Sequence, residues 1–195
     1  MKELTYTISF FSEWHAGSGL SSGSDLDALV IKDNKGFPFI PGKTLKGLLR
    51  EAAEELSMLK GIKPADNPFI IHFFGFFDEL NSEESKIHQR GKAHFSDAML
   101  SSKLRSEGAA FAKFFFREKT STAIEKTGLA VKNSLRKMET TIPCQLSARI
   151  FYDEYPGCED ELKKYFQWIK RLGQSRNHGL GRCEFLCTEI KEASI

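Results

Sequence analysis

The residues of this chain best suited to chemistry are cations set beside glycines and at a helix start, and the chemistry they suit is anion binding. The first run is Phe39-Ile40-Pro41-Gly42-Lys43-Thr44-Leu45-Lys46-Gly47-Leu48-Leu49-Arg50. Pro41-Gly42 forces a sharp turn into a helix. Backbone N–H groups at such a start, with Lys43 and Lys46 beside them, make an anion site. A nucleotide-hydrolysing P-loop would need a further glycine where Phe37 stands, so that activity is set aside. The competing reading is a solvated basic helix face. The second run is Gly173-Gln174-Ser175-Arg176-Asn177-His178-Gly179-Leu180-Gly181-Arg182. Glycines let a backbone approach a ligand closely, and Arg176, His178 and Arg182 suit phosphate. The run follows a helix and precedes a strand, the reverse of a dinucleotide-binding turn. Its competing reading is a plain helix-to-strand loop.

Charge along the chain points the same way. The formal net charge is only +2, but its distribution is uneven. Lys113 to Lys137 holds seven Lys/Arg, among them Arg117, Lys119, Lys132 and Arg136, against two acids. Lys163 to Arg182 holds six basic residues and no acid, whereas Asp153 to Glu161 carries five acids and no base. Basic stretches of this kind suit a polyanion. The chain is 195 residues long, 41% hydrophobic and 28% charged, which is globular material and fits one domain with insertions. Cys144, Cys158, Cys183 and Cys187 show no zinc-ribbon spacing. No apolar stretch approaches the roughly 18 residues of a membrane span. The opening Met1-Lys2-Glu3-Leu4 leads into strand residues rather than a signal peptide. A reduced, cytoplasmic protein is expected.

The elements that must position these residues follow from periodicity. Leu4, Tyr6, Ile8 and Phe10 alternate with polar residues and predict a half-buried first strand. A Gly/Ser-rich loop over 17–24 and a short strand at Leu29-Val30-Ile31 come next. Leu45, Leu48, Leu49, Ala52, Ala53, Leu56 and Leu59 recur at helical spacing, and Gly61 supplies the stop. Lys43, Lys46 and Arg50 lie on the opposite face near the start. Cations there oppose the helix dipole by a few tenths of a kcal/mol each, roughly, and a bound anion would reverse that sign. Residues 62–90 read as an irregular insertion. Strands are expected at Ala93–Met99 and Phe111–Arg117, then a long hairpin or protruding loop over Glu118–Thr140. Alternation over Ile142–Ile150 predicts another strand, Leu162, Phe166, Ile169 and Leu172 a second helix ending at Gly173, and Arg182–Ile190 a closing strand. The order is βαββαβ, an α+β ferredoxin-like (RRM-like) domain with a protruding hairpin and loop insertions, which is a common RNA platform.

Taken together, these runs resemble the RAMP superfamily, specifically the backbone (Cas seven group) subunits of type III CRISPR effectors. The resemblance lies in Asp27-Ala28-Leu29-Val30-Ile31-Lys32-Asp33, in Gly36 to Gly47 with Arg50, and in Phe74-Gly75. It continues in Gly91-Lys92-Ala93-His94-Phe95-Ser96-Asp97-Ala98, in Arg117 to Glu139, and in Gly179-Leu180-Gly181-Arg182. The resemblance implies a protein that coats a CRISPR RNA, with copies of itself and other Cas subunits alongside. It implies that the helix start and glycine loop hold the RNA backbone. The segment from Arg117 to Glu139 corresponds to a thumb that interrupts the guide–target duplex. Asp27, with Asp25 as its alternative, corresponds to an aspartate that cuts target RNA with a divalent cation, Mg²⁺ being the expected metal. RNA supplies its own nucleophile in the 2′-hydroxyl, so a carboxylate need only hold a metal or assist deprotonation.

Two other functions compete. One is a structural subunit that binds guide RNA without cutting. In that case Asp27 caps a turn. The other is a metal-independent CRISPR RNA processing endonuclease using His15, although that class usually carries two ferredoxin-like domains. His15 is read as a strand-end histidine with a structural or RNA-contact role.

Overall fold

The computed structural model describes residues 1–21, 26–77, 88–106 and 109–193. Its main sheet is built around β1 (Lys2–Phe10), where the predicted alternation holds. Leu4, Tyr6, Ile8 and Phe10 are buried to 4% exposure or less. β1 pairs antiparallel with β9 (Gln145–Tyr152) on one side and with β10 (Cys183–Glu192) on the other. A register shift interrupts the β1–β10 ladder between Thr5 and Tyr6. Outward from β9 lie β5 (His94–Phe95) and β6 (Ala98–Met99), and β2 (Phe39–Ile40) pairs with β6. The strand order is β10-β1-β9-β6-β2, with β5 on β9.

Two amphipathic helices share the core with this sheet. α1 (Gly42–Leu59) buries Leu45, Leu49, Ala52 and Ala53, and α4 (Cys158–Trp168) buries Leu162, Tyr165 and Phe166. Tyr6 stacks on Phe166 at 5.0 Å between ring centroids and on Phe185 at 6.0 Å, which ties β1 to α4 and β10. Aromatic contacts of this kind add about 0.5–1.5 kcal/mol each beyond area burial. The chain leaves α1 at Gly61, whose φ of +74° favours glycine, as the sequence implies.

Several elements differ from the sequence reading. Part of the insertion read as irregular is helical. Pro68 opens α2 (Pro68–Phe74), and the Asn67 side chain caps it by accepting from the Phe69 and Ile70 N–H groups at 3.1 and 3.4 Å. Its apolar run is too dense to show a period. β3 (Gly75–Phe77) and β4 (His88–Arg90) then form a separate two-stranded ribbon. The expected strand at Ala93–Met99 is split into β5 and β6. After the short α3 (Ser102–Ser106), Ala109–Phe115 is a 3₁₀ helix rather than a strand. The reason is a period of three: Phe111 and Phe114 are exposed, while Ala112 is buried and Phe115 half-buried. Leu29-Val30-Ile31 is not a strand of the sheet but an extended segment held by isolated bridges. α4 stops at Trp168, and Ile169 and Leu172 reach the core from extended backbone.

The basic segment forms the hairpin of β7 (Phe116–Ser121) and β8 (Arg136–Thr141), with Phe116 opposite Thr141 and Ser121 opposite Arg136. Residues 117–130 are all exposed. The distal part is held by an Ile124–Ala130 bridge and by Ser134, whose hydroxyl donates to the Val131 carbonyl at 2.8 Å.

Candidate nucleic-acid interface

The segment carrying Asp27 is docked on the foot of the hairpin. The Asp27 N–H donates to the Lys137 carbonyl at 2.8 Å, and Asp27 Oδ2 accepts from the Lys137 N–H at 2.8 Å. Ala28 forms a parallel bridge with Met138, and the Glu139 N–H donates to the Ala28 carbonyl. The Glu139 side chain, 8% exposed, completes the bracket. Its Oε2 accepts from the Val30 N–H at 3.0 Å, and its Oε1 from the Lys32 ammonium at 2.8 Å. Asp27 itself is exposed. Asp25 lies outside the described residues.

Glu139 also reaches the glycine loop through His15. His15 is fully buried, and its Nδ1 lies 2.6 Å from the Glu139 carbonyl. The Gln174 N–H donates to the His15 carbonyl at 2.9 Å, and a Cβ on Gly173 (φ +100°) would stand 2.5 Å from that same oxygen. A Cβ on Gly181 (φ +71°) would strike the Leu172 carbonyl. These two glycines therefore serve close approach within the chain, which corrects the expectation that they make room for a ligand. Gly179 alone of the three faces open space. Of the structural and RNA-contact roles read for His15 in the sequence, its burial and its contact with the Glu139 carbonyl fit the structural one.

The cations of α1 divide into differing environments. Lys43 is exposed, Lys46 half-buried, and Arg50 half-buried with its Nε 2.7 Å from Glu54 Oε1. Lys46 donates to the Ala93 carbonyl at 3.3 Å. Burial, with Arg50 nearby adding to it, lowers the Lys46 pKa from its usual value. One N–H of the helix start is already taken. The Gly42 N–H donates to Asp97 Oδ1 at 2.8 Å, so an internal carboxylate occupies it and offsets the missing acids of the first turn.

On the hairpin, Arg117 and Lys119 are exposed along β7, Arg136 opens β8, and Lys132 lies in the turn between them. In the glycine loop, Arg176 and His178 form a 3₁₀ turn. Arg176 Nη1 stands 3.9 Å from Glu51 Oε2, so part of its charge is met by α1. The Arg182 guanidinium lies over the Phe11 ring at 5.7 Å. The structure thus brings Asp27 to the hairpin foot and Arg176 to α1. Sequence reasoning named Glu139 only as the end of the hairpin segment and missed its bracket to Val30 and Lys32. Nothing in its local pattern marks that role, because both partners lie more than 100 residues away in the chain.

A divalent cation is a partial fit. Among the described residues no group of three His, Cys, Asp or Glu is gathered for a metal. Asp27 has one carboxylate oxygen engaged by Lys137 and one left over. It can serve as a single ligand to Mg²⁺, a hard ion that takes its other ligands readily from phosphates and water.

An antiparallel sheet backed by two helices, with an exposed basic hairpin and a basic helix face, defines an α+β protein suited to a polyanion. The RAMP superfamily model matches residues 7–184, and the chain belongs to that superfamily. Its structure is similar to a chain of the type III-B Cmr-beta complex bound to cognate target RNA, with a TM-score of 0.68, 13% identity, and coverage of 95% of this chain and 96% of that one. It is also similar to a chain of the apo Cmr-beta complex, with a TM-score of 0.65, 12% identity, and coverage of 96% and 97%. No curated protein matches the sequence. Among the described residues no helix is long and apolar enough to cross a membrane.

Proposed function

We propose that this chain is a backbone subunit of a type III CRISPR effector complex that binds CRISPR RNA and presents target RNA to Asp27. The observation that carries the reading is the attachment of the Asp27 segment to the foot of the basic hairpin, through Lys137 and Glu139. A hairpin that meets the RNA would then place the carboxylate at a fixed offset from the point of contact. Superfamily membership over 7–184 and the likeness to chains of the Cmr-beta complex support the setting. In this reading the sheet is ferredoxin-like, the whole chain is one RAMP domain, and the hairpin is its thumb. The strand order, with β1 central between β9 and β10, supports the first of these. The partners are guide RNA, target RNA, other Cas subunits and further copies of the chain, in the cytoplasm.

Cleavage asks little of the protein. The 2′-hydroxyl attacks the adjacent phosphate, the bond to the 5′ oxygen breaks, and a cyclic phosphate and a 5′-hydroxyl result. Asp27 either takes the 2′-hydroxyl proton or stands as one ligand to Mg²⁺, which when bound stabilises charge at the phosphate. The hydrogen bond from Lys137 orients the carboxylate in both roles.

That same hydrogen bond favours a second reading, in which Asp27 only fastens the loop and the subunit does not cut. The processing-endonuclease reading has less support, since His15, its acid–base candidate, is buried against Glu139. The test is expression with its neighbouring subunits and a CRISPR array. Guide RNA should copurify in a stable complex, and free protein without RNA would oppose the assignment.

A further inference from the structure

α1 faces the β3–β4 ribbon across an open cleft of about 670 Å³. Its lining is Lys46 and Arg50 from the helix, and Phe74, Phe76, Gln89, Arg90 and Gly91 from the ribbon and its approaches. Among these described residues three are cations and none is an acid, and one of the cations, Arg50, is already held by Glu54 at 2.7 Å. The volume is that of a small-molecule or single-residue ligand site.

The far wall is built, not incidental. β3 and β4 pair with Gly75 opposite Arg90 and Phe76 opposite Gln89. A Cβ on Gly75 (φ +92°) would stand 2.6 Å from the Gln89 carbonyl, and one on Gly91 would strike the backbone of Phe73 and Phe74. The Lys92 and Ala93 N–H groups donate to the His72 and Phe73 carbonyls at 2.9 and 3.1 Å. The chain leaving β4 is thereby fixed to α2, which is anchored in the core by Phe69, Ile70 and Phe73. Phe76 is half-buried, and Gln89 and Arg90 are exposed.

We propose that this cleft is a single-nucleotide subsite for RNA, with the backbone phosphate on Lys46, Arg50 and Arg90 and the base against Phe76, its edge within reach of Gln89. The proposal deepens the RNA-binding reading and rests on it. Burial and the neighbouring Arg50, itself paired with Glu54, disfavour the charged form of Lys46, and an anion bound in the cleft beside Lys46 and Arg90 would favour it. An aromatic ring beside a cationic rim is the usual platform for unpaired nucleotides and tolerates any base. An acidic protein segment would use the cations but leave the ring without a stacking partner. The subsite adds the ribbon to the RNA path, which the sequence assigned to α1, the hairpin and the glycine loop alone.

The test uses the full chain and a short uridine-rich RNA carrying 4-thiouridine. Ultraviolet crosslinking of the wild-type protein should place adducts on the Phe76–Gln89 wall, a readout that no variant's folding affects. In anisotropy titrations, Arg90→Ala should weaken binding about tenfold and reduce the salt slope by about one, and Phe76→Leu should weaken it about fivefold. Circular dichroism should be unchanged in both. If the wild type binds the RNA but crosslinks lie elsewhere and both variants bind normally, the subsite is wrong and the RNA-binding reading stands. If the wild type binds no RNA, both fall. Variants that keep RNA affinity but lose a neighbouring protein subunit would put protein in the cleft and overturn the subsite.

Discussion

Asp27 and Lys137 exchange two backbone-directed hydrogen bonds, each of 2.8 Å, across 110 residues of sequence. The exchange lays the Asp27 segment beside β8, where Ala28 forms an isolated parallel bridge with Met138. Glu139 fastens the next part of the loop through Val30 and Lys32.

Glu139→Ala should therefore loosen the loop from the hairpin. It leaves the Val30 N–H without its acceptor and Lys32 without its partner, at a cost of about 1–3 kcal/mol. Hydrogen exchange at Ala28 and Val30 should quicken markedly, while β1 and β9 amides stay protected relative to the new global stability. Glu139→Gln, which keeps an acceptor for Val30, should fall between. Unchanged exchange in the alanine variant would refute the bracket.

Asp33 provides an acid-sensitive fastening nearby. Burial alone would raise its pKa, but the Phe37 and Lys35 N–H groups and the Arg105 guanidinium together hold it below the ordinary carboxylate value. A carboxylate depressed on folding contributes stability that is complete above its unfolded pKa, about 4, and is lost as pH falls through the folded value. Thermal melts from pH 6 downward should show this loss in the wild type and a smaller one in Asp33→Asn. Parallel curves would contradict it.

Reversing charge with Lys46→Glu and Arg50→Glu should weaken single-stranded RNA binding by at least about tenfold. The salt dependence should fall as well, because fewer phosphates are neutralised and fewer counterions released. Helical circular dichroism should persist, because both side chains lie off the buried stripe of Leu45, Leu49, Ala52 and Ala53. Equal affinities at low salt would remove α1 from the RNA path.

Regular periodicity made much of this molecule legible in the sequence. β1, α1, β9 and β10 announce themselves because each buries one face, and the burial pattern is the signal. α2 does not, since Phe69 to Phe77 is apolar apart from His72 and shows no period. Phe111 to Phe115 misled for a related reason: aromatic residues suit strands, yet here they follow a period of three. Of the interface, the cations of α1 and the hairpin were visible as local charge. The Asp97 cap on Gly42, the Glu139 bracket and the placing of Arg90 across from Lys46 and Arg50 were not, because each brings together residues 40 or more positions apart, and only the fold sets that distance. The glycines at 173 and 181 were seen, but not their fit against the His15 and Leu172 carbonyls, because a close approach to the chain's own carbonyls and one to a ligand leave the same mark in sequence.

The most direct measurement is single-turnover cleavage of a guide-matched RNA by the reconstituted complex with Mg²⁺, with guide and target binding followed in the same samples. The wild type should bind and cut, and Asp27→Ala should bind as well but cut on the order of a hundredfold more slowly or not at all. Cutting at the wild-type rate by Asp27→Ala would contradict the assignment of Asp27, and a complex that retains no guide RNA would contradict the account as a whole.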